Sequence, residues 1–96
     1  MKLEFRPRAK LDLDDAYAWY EAQHPGLGDS FLAEVETALE GIREHPESFA
    51  QIERNARRAL LRRFPYGVYF VVEDAKVVVF AVYHFKRDPS GWQARL

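Results

Sequence analysis

"YGVYFVVEDAKVVVFAVYHF" (66–85) decides the fold. Two runs rich in valine and aromatic residues, 66–73 and 76–85, flank Glu73-Asp74-Ala75-Lys76, a polar stretch short enough for a tight hairpin turn. In the second run Val78, Phe80 and Val82 point one way while Val77, Val79 and Ala81 point the other, so both faces are apolar. A strand of that kind belongs in the middle of a sheet. At an edge it would offer bare, sticky backbone to another chain. Just upstream, 57–63 has a period of two and reads as a third strand of the same antiparallel sheet.

Working back toward the N-terminus, the period lengthens. Phe31, Val35, Ala38, Leu39 and Ile42 mark the inner face of a helix over about 29–44. Leu13, Ala16, Tyr17 and Tyr20 do the same for a helix over about 9–23, with Pro7 suited to its first position. "HPGLGD" (24–29) breaks the two apart into a helical hairpin. "KLEF" (2–5) alternates as a short strand, and 45–53 is a connector. The order is β-α-α-β-β-β, an α+β fold: an N-terminal strand, then an antiparallel helical hairpin packed on a mainly antiparallel β-sheet, with a short C-terminal tail. Ninety-six residues suit one domain, 1–96.

Composition narrows the function. There is no cysteine, hence no disulfide, no thiolate metal ligand and no thiol nucleophile. The N-terminus "MKLEFRPRAK" lacks the apolar segment of a signal peptide, and the longest apolar run (77–83) is far too short to span a bilayer. A soluble, cytoplasmic domain with no membrane partner is expected. Net charge is −1, but it is unevenly placed. Residues 1–53 hold 5 Lys/Arg and 12 Asp/Glu, whereas residues 54–96 hold 9 and 3, so −7 faces +6. Such polarity suits either a basic surface for an acidic partner or nucleic acid, or an acidic helical layer neutralising a basic sheet.

His24, His45 and His84 have no ligand-like spacing, so no metal and no cofactor are expected. Ser30, Ser48 and Ser90 lack a nucleophile-elbow context. The Gly-Leu-Gly of 26–28 follows a helix, not a buried strand, and lacks a phosphate-loop lysine; it is a turn. Asp12, Asp14 and Asp15 read as solvated acids near a helix start. What remains is basic and aromatic: Arg57, Arg58, Arg62 and Arg63 on or beside the 57–63 strand, Tyr66 and Tyr69 on the next, and His84, Lys86, Arg87 and Trp92 after the last. A meander brings Tyr66 near both arginine groups. Arginine forks bind phosphate, aromatic rings stack on unpaired bases, and a neutral histidine can take a proton from a ribose 2′-OH. The plainer reading is a solvated sheet face, with Trp92 as a lid over the core edge.

"KLDLDDAYAWYEAQHPGLGDSFLAEVETAL" (10–39), "LRRFPYGVYFVV" (61–72) and "VVVFAVYHFKRDPSGW" (77–92) together resemble the RelE/ParE superfamily of toxins from bacterial type II toxin–antitoxin systems, often labelled plasmid stabilisation proteins. The resemblance covers nearly the whole chain. Its most specific parts are Trp19-Tyr20-Glu21 with Pro25-Gly26, Phe64-Pro65-Tyr66, and His84, Arg87, Pro89 and Trp92 at their spacing. It implies a growth-inhibiting toxin held inactive by a cognate antitoxin, for which Arg57, Arg58, Arg62 and Arg63 form a plausible dock. It also implies one of two targets. ParE-like members bind and inhibit DNA gyrase; RelE-like members enter the ribosome and cut mRNA. The ribonucleases usually carry an arginine after the strand tyrosine, where this chain has Gly67. That departure favours the gyrase reading. In the ribonuclease alternative His84 is general acid or base, Arg87 and Arg63 are its catalytic partners, and Arg62, Arg63, Tyr66, Lys86, Arg87 and Trp92 hold phosphate and base.

Overall fold

Pro7, whose missing N–H is harmless at a helix start, opens α1 (Pro7–Gln23) directly after β1 (Lys2–Phe5) in a computed structural model that describes all 96 residues. The helix stops before Pro25, and Gly26 turns the chain with a φ of +89°, a left-handed conformation that favours glycine. Glu21 then does two jobs at once. Its carboxylate accepts the backbone N–H groups of Gly26 and Gly28, each at 2.9 Å, so the end of α1 caps the start of α2 (Leu27–Glu44). That cap lets α2 begin two residues before the expected position 29.

A 3-10 turn (Pro46–Ser48) leads into the sheet: β2 (Gln51–Glu53), β3 (Ala56–Leu60), β4 (Tyr66–Glu73) and β5 (Lys76–His84), with a one-turn helix α3 (Ser90–Gln93) closing the chain. Strand order is β1-β5-β4-β3-β2. Only β1 is parallel to its neighbour; the rest pair antiparallel. β5, apolar from Val77 to Val82, therefore lies between β4 and β1, away from the sheet edge along its first half, as its composition requires. Asp74 (φ 48°) and Ala75 (φ 60°) give the hairpin turn its left-handed pair of residues without a glycine.

Three features depart from the sequence reading. The third strand ends at Leu60, not at 63, because Glu34 takes the N–H groups of Arg62 and Arg63 and the Leu61 N–H turns back to the Tyr66 carbonyl. β2 and α3 had no counterpart in it. The third is a slip in β5. Tyr69 pairs with Ala81 but Phe70 pairs with Val79, so Phe80 is an extra residue, a β-bulge. Beyond it the faces exchange. Val82 joins Val77 and Val79 in the core under the helices, and Ala81 joins Val78 and Phe80 on the far side, contrary to the strict alternation expected.

The sheet consequently has two apolar layers. On the helix side Phe31, Val35 and Ile42 of α2 and Ala9, Ala16 and Tyr20 of α1 pack on Val68, Phe70, Val77 and Val79. On the far side Ala56, Tyr69, Val71, Val78 and Phe80 are sealed by Trp92 from α3, whose ring lies 5.0 Å from that of Tyr69. No helix is long and apolar enough to cross a membrane.

Candidate functional site

The bulge decides which polar residues meet. It carries His84 to the helix side with Val82, opposite its ladder partner Tyr66, the two rings 5.3 Å apart. Tyr66 in turn lies against Tyr20 of α1 at 5.9 Å, and Tyr20 against Trp19 at 5.1 Å, edge-on. These rings, with Arg8, Asp15, Arg87 and Arg95, line an open cleft of about 850 Å³ between α1 and the ends of β4 and β5.

Its back wall is built on the irregular backbone of the bulge. Asp12 of α1 accepts the Val82 N–H at 3.1 Å. Arg95, from the C-terminal tail, forms a two-pronged pair with the same carboxylate and donates to the Phe80 carbonyl at 3.2 Å. Asp12 and Arg95 are 13% and 15% exposed, a largely sequestered pair joining α1, β5 and the tail. Asp12 is thus not the solvated helix acid its position suggests; besides Arg8 one turn back at 3.8 Å, its hydrogen-bond partners stand 70 and 83 residues away.

Protonation follows from the contacts. The Lys86 backbone N–H donates to Nδ1 of His84 at 3.2 Å. That contact occupies Nδ1 and leaves Nε2 as the ring nitrogen without a protein partner. Burial pushes the Tyr66 phenol above its usual range; Arg87 opposes this and Asp12 adds to it. Tyr20 is raised likewise, by burial and then by Tyr66. Both phenols stay protonated at neutral pH. No three metal-ligating side chains come together.

The other residues singled out in the sequence scatter. Arg57 faces the helix side and spends its guanidinium on the carbonyls of Glu47 and Phe49, the latter at 2.6 Å, tying the connector to the sheet. Arg58 is on the opposite face, 5.8 Å over the Tyr69 ring. The chain makes room for it with Gly67: a Cβ there would stand 3.0 Å from Arg58 Cγ. Arg63 pairs with Glu34, while the exposed Arg62 side chain has no partner. Lys86 and Arg87 are exposed after β5, Arg87 at the cleft. Trp92, expected as a base-stacking platform, is 6% exposed and belongs to the far-side core. Only Tyr66, His84 and Arg87 of that set share the cleft. Trp19, Tyr20, Asp12 and Arg95 complete it, and the one sequence signal for them was Trp19-Tyr20 at an otherwise amphipathic helix surface.

Glu34 gives a pH test. Burial alone would raise its carboxyl, but the bonds from Arg63 and Arg62 outweigh that and hold it below its ordinary value of 4.5. A carboxylate depressed on folding contributes stability above its unfolded pKa and loses it as pH falls through the folded one. Wild-type urea midpoints should therefore drop below pH 4.5 more steeply than those of Glu34→Gln. Parallel acid limbs for the two proteins would show that Glu34 does not pin the β3–β4 loop.

Residues 3–89 match the model of a family described as the ParE toxin of type II toxin–antitoxin system, parDE. No curated protein sequence matches the chain. Among solved structures it is similar to a chain of the chromosomal ParDE TA system from P. aeruginosa, at 18% identity and a TM-score of 0.77, over 88% of this chain and 95% of that one. A chain of the intact E. coli RelBE toxin–antitoxin complex aligns with a TM-score of 0.67 at 21% identity, covering 90% and 98%. The isolated E. coli RelE toxin aligns at 0.65 and 20%, covering 98% and 94%. At such identities the structural likeness speaks for the fold.

Proposed function

This chain belongs to the ParE toxin family of type II toxin–antitoxin systems, and from that premise we propose that it is held inactive by a cognate antitoxin and acts by binding its target, DNA gyrase, without cutting it. One observation carries the reading: the residues that cleavage would need together are dispersed. His84 and Arg87 line the helix-side cleft, whereas Arg62 and Arg63 lie outside it and Trp92 is buried on the far face. Arg63 is engaged by Glu34, and one ring nitrogen of His84 is taken up by the Lys86 backbone N–H. What is left suits recognition. The likeness to chains of the ParDE and RelBE systems supports an antitoxin partner. Of the four arginines expected to dock it, Arg58 and Arg62 are those without a salt bridge or a carbonyl to hold.

The ribosome-dependent mRNA endoribonuclease is the second reading, favoured by the close Tyr66–His84 pair beside Arg87, in which His84 would serve as general acid or base. The test runs both assays on antitoxin-free protein: gyrase supercoiling, and cell-free translation with mapping of new mRNA 5′ ends. The expected result is inhibited supercoiling and intact mRNA. Ribosome-dependent cuts that fall roughly 10²-fold or more in rate with His84→Ala would establish the ribonuclease instead.

A further inference from the structure

Trp19 is the largest apolar side chain left in solvent, 59% exposed, although its neighbour Tyr20 is buried. The edge-on contact with Tyr20 at 5.1 Å orients the indole over the mouth of the cleft instead of leaving it to swing. Tryptophan, tyrosine and arginine supply most of the energy at protein–protein contacts, where they are ordered before binding and lose little entropy. Here Trp19, Tyr20, Tyr66 and Arg87 meet in one concavity.

That concavity carries charges of both signs. Both Arg8 and Asp15 stand on the α1 wall, Arg87 stands across from them, and the Asp12–Arg95 pair closes the back. With Asp12 already paired to Arg95, Asp15 is the carboxylate left on the α1 wall, and a strand carrying only phosphates would find no partner for it. A polypeptide segment with both signs of charge meets no such penalty.

We infer that this cleft is the surface that grips the toxin's protein target, through a segment that places a bulky apolar side chain against Trp19, a carboxylate toward Arg87 and a basic group toward Asp15. The inference rests on the binding-inhibitor reading above.

The test uses the full chain against purified DNA gyrase, with Trp19→Ala and Arg87→Glu titrated beside wild type in supercoiling and each melted by circular dichroism. Both positions are exposed, so melting should not move. Loss of a central aromatic anchor should raise the half-inhibitory concentration roughly 30-fold, and the charge reversal roughly tenfold. A wild type that inhibits gyrase while both folded variants inhibit equally well would remove the cleft from the interface. A wild type that leaves gyrase untouched would instead overturn the binding-inhibitor reading, and this inference with it. Wild-type binding to an RNA oligomer, lost in both variants, would reassign the cleft to nucleic acid.

Discussion

Asp12→Ala should destabilise the protein by about 2–3 kcal/mol, between the level of an exposed ion pair and that of a fully buried one, because the pair is largely but not wholly out of water. The loss has three parts. The Arg95 guanidinium keeps its charge in a site only 15% exposed, the Val82 N–H loses its acceptor, and the tail loses its tie to α1. Simple packing does not explain a loss of that size, since aspartate to alanine deletes little volume. Arg95→Ala should cost less, because Asp12 keeps Val82 as a partner. The double variant should fall well short of the two single losses added together, since neither charge is then left alone. Urea unfolding of the three variants measures this directly. A loss below about 1 kcal/mol for Asp12→Ala, the level of an exposed pair, would mean that the cleft's back wall is not built as described.

Phe31→Ala should be still more damaging, about 3–5 kcal/mol. Phe31 is completely buried, with its ring 5.3 Å from Tyr20, 5.3 Å from Phe64 and 5.2 Å from Tyr66. Those contacts make α2 the support on which the cleft floor rests. A domain of this size has only about 5–15 kcal/mol in total, so the variant should be near the edge of folding at body temperature. It should also loosen Tyr66 and Tyr20 before it unfolds, visible as broadened aromatic signals in NMR spectra. A well-folded variant with sharp Tyr66 resonances would show that β4 alone holds the floor.

The parts of this fold that announce themselves in sequence are those whose apolar pattern has a phase. The helical hairpin does, through Phe31, Val35, Leu39 and Ile42, and so does the break at Pro25 and Gly26. The 66–85 hairpin is legible through its polar turn. The bulge is not, and the reason is physical: from Val77 to Val82 every residue is apolar, so an alternation that slips by one leaves the same string of letters. Because of that slip, the side on which His84 falls is invisible in sequence. β2 and α3 are three and four residues long, too short to display a period. The site was legible only in part. Tyr66, His84 and Arg87 stand out by type, whereas Asp12 looks like any solvated helix acid until Arg95 arrives from the other end of the chain.

β1 is four residues long and β5 is nine. β1 runs out at Phe5 opposite Val79, so the outer margin of β5 from Phe80 onward has no strand beside it. Asp12 and Arg95 occupy that margin, one taking the Val82 N–H and the other the Phe80 carbonyl. Another molecule attempting to lengthen the sheet there would have to part a two-pronged ion pair before gaining a single backbone bond. The same two side chains that shape the cleft therefore act as a gatekeeper against fibril growth, on a chain whose valine-rich strand would otherwise seed it.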